Sequence, residues 1–255
     1  MRDEVFSEQM NRPAAIHAGI ALAVVAVVAN FPYAALIELF DYDDVLRRPA
    51  GEVLTLFSAG GTPLVLAWWT FALSAIGFAV AAALTGEALK GGKARLASWF
   101  TTFGVLSGIF QAVALLRWTF VIPNLAAAYA QSAEGSAERA AVVTTYEALN
   151  WFAGAGMGEH LGQFLLTVWT LGVGLALVRM DGAFRWIGAA GMATLPFWIV
   201  GQTELLAPSM PGLPVIEVIP YAFMAWEAWV LVLGVALIVK AVRKEAPAGM
   251  MAQAA

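Results

Sequence analysis

Six long apolar runs constrain this chain more than any other feature: near Ala14–Leu36, Thr62–Leu84, Leu96–Ile122, Trp151–Leu177, Phe184–Leu206 and Ile219–Val242. A helix rises about 1.5 Å per residue, so about 20 apolar residues cross the roughly 30 Å of bilayer hydrocarbon. Within that layer backbone N–H and C=O groups are satisfied only by helices or closed barrels. Barrel strands are alternating segments of about ten residues, which these runs are not. Residues 1–255 therefore read as a single all-α integral membrane domain, a six-transmembrane-helix bundle. Composition agrees: 13% of residues are charged, where a soluble domain has about a quarter.

Lysine and arginine set the expected orientation. With a cytoplasmic N-terminus, the inner segments hold ten (Arg2, Arg12, Lys90, Lys93, Arg95, Arg179, Arg185, Lys240, Arg243 and Lys244). The outer loops then hold three, Arg47, Arg48 and Arg139, with Arg117 inside a span. That asymmetry predicts that both termini are cytoplasmic. Val27-Val-Ala29 resembles a signal cleavage site, but the run continues as Phe31-Pro-Tyr-Ala-Ala-Leu-Ile behind a leader with Asp3, Glu4 and Glu8, so a retained span is expected. No basic stripe stands outside the apolar runs, which argues against a nucleic-acid partner. The absence of cysteine excludes disulfides, thiolate metal sites and cysteine nucleophiles.

The outer loops are expected to carry short surface helices. In Glu38–Gly61, Pro49 suits a first helical position, Gly60-Gly61 a stop, and Val53, Leu54 and Phe57 share one side, which would lie along the outer surface. The cluster Asp41-Tyr-Asp43-Asp44 lacks the spacing and central glycine of a calcium loop and reads as solvated. Leu125–Thr145 is alanine-rich and broken near Gly135-Ser136. Thr144-x-x-Glu147 matches a capping box at the mouth of the fourth span. Pro208–Pro214 reads as a rigid link and Glu245–Ala255 as a frayed tail. Trp99 and Trp186 at inner ends, and Trp68, Trp69 and Trp118 toward outer ends, fit interfacial belts.

The densest chemistry lies in Gly154-Ala-Gly-Met-Gly-Glu159-His160-Leu-Gly162-Gln163. Gly154, Gly158 and Gly162 recur at every fourth position, a strip suited to close helix packing. Ionisable groups at membrane depth cost at least about 2.5–3.5 kcal/mol, so retained ones have a partner or a task. Arg117, near the outer end of the third span, is at a depth comparable to Glu159, which predicts an ion pair; snorkelling to the headgroups is the alternative. Asn150, Met157, His160 and Gln163 approximate one helix side, with Glu159 about a hundred degrees away. Gln202 and Glu204 come near the outer surface. Glu227 lies toward mid-depth with no cation near it on its own helix. Together Arg117, Asn150, Glu159, His160, Gln163 and Glu227 are the candidate lining of a polar cavity in the outer half.

Sharper chemistries fit poorly. A bis-histidine haem would have to join His17 and His160, which lie at opposite depths. Zinc would have one histidine and no paired-histidine helix motif. No serine sits in a nucleophile elbow, and Lys240 is too near the inner end for a retinal Schiff base. No cofactor and no metal are expected.

Several stretches resemble a bacterial family of multi-span proteins, domain of unknown function 4386. They are Phe40-Asp-Tyr-Asp-Asp-Val-Leu-Arg-Arg-Pro49-Ala-Gly-Glu-Val-Leu, Ala59-Gly-Gly, Leu116-Arg-Trp118 and Gly158-Glu-His-Leu-Gly-Gln163. The resemblance implies about six helices in a bacterial cytoplasmic membrane and supplies no activity. Its Arg-Trp and Glu-His-Leu-Gly-Gln elements map onto Arg117-Trp118 and Glu159–Gln163.

The expected role is to bind, sense or move a small molecule or proton through the outer cavity. Two rivals stand beside it. One is an intramembrane enzyme acting on a lipid, with His160 as acid–base and Glu159 or Glu227 as partner. The other is an accessory subunit that docks a partner helix, or another copy, on the Gly154/Gly158/Gly162 strip. The bilayer is the expected partner throughout, with a small-molecule or lipid ligand.

Overall fold

The computed structural model describes residues 10–42, 44–90 and 95–243. The acidic leader, Asp43, Lys93 and the tail from Lys244 onward lie outside them. Among the described residues there is no strand. Six helices are long and apolar enough, by length and composition, to cross a membrane: Arg12–Phe40, Ala50–Ala88, Leu96–Gln131, Ala137–Val178, Ala183–Ser209 and Ile219–Val242. These are the six spans, first to sixth, in chain order.

The second, third and fourth spans outrun their apolar cores because the flanking loop segments are helical and join them. The expected stop at Gly60-Gly61 is instead a kink inside one helix. Gly61 takes φ 54° and ψ −150°, a conformation that glycine reaches without a steric penalty. Pro63 follows, where a missing N–H is harmless at the start of a new helical stretch. Before the kink, Val53, Leu54 and Phe57 are buried against the protein. The Phe57 ring lies 5.8 Å from Phe40 and 5.8 Å from Trp118.

The capping box at Thr144 does not form. The fourth span already starts at Ala137, where the Ser136 hydroxyl accepts from the Arg139 N–H at 3.2 Å. Gly135, at φ 72°, makes the turn that presents that cap. Thr144 is then mid-helix and donates to the Ala140 carbonyl at 3.0 Å, while Glu147 is exposed.

Spans adjacent in sequence pack side by side, and the sixth lies along the first. Small residues permit that closure. A Cβ on Gly19 would fall 2.5 Å from the Gly234 carbonyl oxygen, and one on Gly234 would fall 2.8 Å from that of Gly19. Backbones this close need glycine on both faces.

Two cores result. One gathers Leu22, Phe78, Trp169, Trp226, Trp229 and Leu233, with Trp169 5.2 Å from Phe78 and 6.0 Å from Trp229. The other, toward the 38–61 loop, holds Phe40, Leu54, Phe57, Trp68, Trp118 and Tyr146. Here Trp68 and Trp118 stack at 4.7 Å and 9°, an arrangement worth about 0.5–1.5 kcal/mol beyond its buried area. This revises the belt reading. Trp99 and Trp186 are exposed at 72% and 73%, whereas Trp68 and Trp118 are exposed at 1% and 0% and belong to the core.

Candidate functional site

From Asn150 to Leu161 the fourth span winds as a π-helix. Such wide turns are rare, occur mostly as single-turn bulges and are frequent at functional sites. Gly154, Gly156 and Gly158 are weak α-formers with no side chain to resist the wider turn. The widened stretch carries Asn150, Glu159 and His160.

The glycine strip packs within the chain. Cβ atoms built on Gly154, Gly158 and Gly162 would strike Arg117, Ala114 and Gln111, all on the third span. A docked partner helix would have to displace that span, so the strip is already occupied.

A cavity of about 100 Å³ lies between the two cores. Tyr33, Tyr42, Trp68, Phe71, Trp118, Trp198 and Phe223 give it an aromatic wall; Gln111, Arg117, Glu159 and Gln163 supply polar groups. Of the residues expected to line a cavity, Arg117, Glu159 and Gln163 do so. Asn150 stands behind Arg117. His160 and Glu227 are not on this wall.

Arg117 does not snorkel. It is exposed at only 7%. Nη1 donates to the Ala114 carbonyl at 2.7 Å and Nη2 to Asn150 Oδ1 at 3.3 Å. The guanidinium also lies 5.0 Å from the centre of the Trp118 ring, within cation–π range. Its Nε has no acceptor, and no carboxylate pairs with it among the described residues.

The expected Arg117–Glu159 ion pair is replaced by another. Arg47, on the short 3-10 turn Asp44–Arg47, donates through Nη2 to Glu159 Oε2 at 2.9 Å and through Nε to Glu204 Oε1 at 2.9 Å. The planar fork of arginine can address two carboxylates at once, whereas Arg117 is held back by Ala114 and Asn150. Asn150 also donates to the Leu46 carbonyl at 3.4 Å. The loop turn is thus fastened to the fourth span by two contacts and to the fifth by one. Burial alone would lower the basicity of Arg47, but the Glu159 and Glu204 carboxylates outweigh it and raise the guanidinium above its ordinary value. A raised cation contributes its stability below its unfolded pKa and loses it only above, so this one stays charged at any working pH.

His160 makes a separate chain of contacts. Its Nδ1 lies 2.7 Å from Gln202 Oε1, and Gln202 Nε2 donates to Gln163 Oε1 at 2.8 Å. The ring itself sits in a groove with Trp151, Leu205 and Pro208. It therefore bonds to an amide rather than to Glu159 or Glu227, so the acid–base pair of the rival enzyme reading is not assembled among the described residues. Glu227 is buried and accepts from Asn30 Nδ2 at 3.0 Å. Asn30 also donates to the Ala26 carbonyl at 2.6 Å. Among the described residues no group of three His, Cys, Asp or Glu could hold a metal ion.

Sequence reasoning misses Arg47, Asn30 and the aromatic wall. By position Arg47 counts only as a loop charge. The available signal is that two carboxylates, Glu159 and Glu204, need a cation on the side where only Arg47, Arg48 and Arg139 lie in loops.

A family model described as Domain of unknown function (DUF4386) matches residues 17–241. The chain belongs to that family. The match takes in every site residue from Asn30 to Glu227, and with the six apolar helices it marks a DUF4386 multi-span membrane protein. No curated protein and no solved structure matches the chain.

Proposed function

We propose that this DUF4386 protein binds a small molecule in the aromatic cavity and that the Arg47 turn closes the site. The observation that carries this is one arrangement. Leu46 and Glu159 line the cavity, and the neighbouring Arg47 ties that turn to Glu159 and Glu204. Val45 and Leu46 anchor this turn in the second core, so the opening is confined to the Arg47 side chain, a cation held by two carboxylates on separate spans. Such a pocket, apolar with a few converging polar groups, is the usual form of a small-molecule site. The lysine and arginine count supports a bacterial cytoplasmic membrane protein with both termini inside and this closure facing out.

Single-cysteine variants test the proposal cleanly because the native chain has no cysteine. In sealed vesicles of known orientation, a membrane-impermeant thiol reagent added outside should label Ala114→Cys and Gln163→Cys faster than Leu171→Cys on the outer face of the bundle. Adding Arg47→Gln should speed the first two and leave the third unchanged. No labelling of either lining position, with or without Arg47→Gln, would remove both the accessible cavity and its closure.

A further inference from the structure

We infer that the cavity takes a compact carboxylate: one carboxylate seated on Arg117 and an apolar body, about the size of a single ring, among the aromatic side chains. This rests on the binding function proposed above and names its ligand class.

The argument starts from the charges at the wall. Glu159 is engaged by Arg47 at 2.9 Å and acts on Arg117 only through space, so among the described residues Arg117 is a lining ion with no carboxylate in contact with it. Its neighbours are a carbonyl, an amide oxygen and the Trp118 ring. These solvate a cation without neutralising it. Burying a charge is costly unless it is paired, and arginine's fork matches a carboxylate better than any other planar partner.

The unsatisfied polar atoms point the same way. Trp68 Nε1, Trp118 Nε1, Trp198 Nε1 and Arg117 Nε belong to side chains on the cavity wall and have no acceptor in the protein. All four are donors. These donors are buried within the wall, so they add positive polarity behind it rather than ready contacts; with a guanidinium that lacks a contacting carboxylate, that surplus suits an acceptor-rich ligand and disfavours an amine. Size bounds the body from above: an apolar cavity of about 150 Å³ accepts benzene, so about 100 Å³ here admits a short alkyl group as it stands and at most a single ring once wall side chains move aside. The seven aromatic side chains supply that body's contacts.

The test uses benzoate, neutral benzamide and cationic benzylamine on the full chain in vesicles of zwitterionic lipid, so that anionic headgroups do not compete. Each probe is scored by protection of Ala114→Cys from the thiol reagent and by calorimetric titration of the wild-type protein in detergent. Benzoate should protect and bind at least about tenfold more tightly than benzamide, and benzylamine should do neither. Arg117→Met should abolish the benzoate effect. If that variant does not fold, Arg117→Lys, which keeps the charge but loses the fork, should bind benzoate more weakly than wild type. Equal binding of benzoate and benzamide, preference for benzylamine, or no binding of any probe to a cavity that does label would each overturn the carboxylate assignment while leaving the cavity reading intact. Absence of labelling in the unliganded protein, with Arg47→Gln as well as without it, would instead overturn the cavity reading itself. Unchanged benzoate protection in Arg117→Met would also overturn the assignment.

Discussion

Arg47 and Glu159 are 112 positions apart in the sequence and 2.9 Å apart in space. This contact ties an outer turn to the π-helical stretch of the fourth span, and through Glu204 to the fifth. With Arg47 36% and Glu159 24% exposed, its worth lies nearer that of an exposed pair, about 0–1 kcal/mol, than that of a buried one, about 3–5 kcal/mol.

Arg47→Met should therefore destabilise the protein by about 1–2 kcal/mol, and Glu159→Gln by a similar amount. The double variant should cost clearly less than the sum, because the two side chains share one interaction. Thermal midpoints in detergent give the coupling. The matching cycle with Arg117→Met and Glu159→Gln should be closer to additive; a larger coupling there than at Arg47 would mean that Arg117 is the true partner.

Asn30 supplies the hydrogen bond to buried Glu227. Asn30→Leu should cost about 1–3 kcal/mol, since it leaves a buried acceptor unmet. Replacing both with leucine should recover part of that loss, and a thermal midpoint for the double variant no higher than for Asn30→Leu would show that the bond is incidental.

Gly19 and Gly234 set the approach of the first and sixth spans. Gly19→Ala puts a methyl carbon against a backbone carbonyl, which cannot move aside as a side chain can, and should cost about 1–3 kcal/mol. Gly156→Ala is the internal comparison: its Cβ meets only the Trp151 carbonyl oxygen, at 3.3 Å. If the two variants melt together, the crossing is looser than the structure has it.

Gly154→Ala should act at the site. The new methyl would strike the guanidinium of Arg117, and either that group or the helix has to shift. Loss of benzoate protection with a thermal midpoint within a few degrees of wild type is the expected result. Full protection would show that Arg117 adjusts without consequence.

The six spans are legible in the amino-acid sequence because hydrocarbon allows few ways to satisfy a backbone. The need of Glu159 for a partner is legible too, since retained charge in an apolar run stands out. Its partner is not. Arg117 and Glu159 match in expected depth, but depth along two helices says nothing about the direction in which side chains point. The loop residue Arg47 carries no mark of its own. Trp68 and Trp118 also resemble belt residues by position, but rings brought from elsewhere in the chain, Phe40, Tyr42, Phe57 and Tyr146, pack against them.

Residue patterning along the chain assigns each segment its solvent: long apolar runs go into lipid, glycine strips allow close packing, and buried charges demand partners. The tertiary structure alone decided which partner each group found. Arg47 clasps Glu159 and Glu204, Asn30 meets Glu227, and Arg117 is held at an aromatic cavity by a carbonyl, an amide oxygen and a ring. The reason is that hydrophobic burial depends on composition along the chain and barely on direction, whereas an ion pair or hydrogen bond needs particular atoms within about 3 Å. That geometry is set jointly by the kink at Gly61, the wide turns from Asn150 to Leu161 and the packing of all six spans.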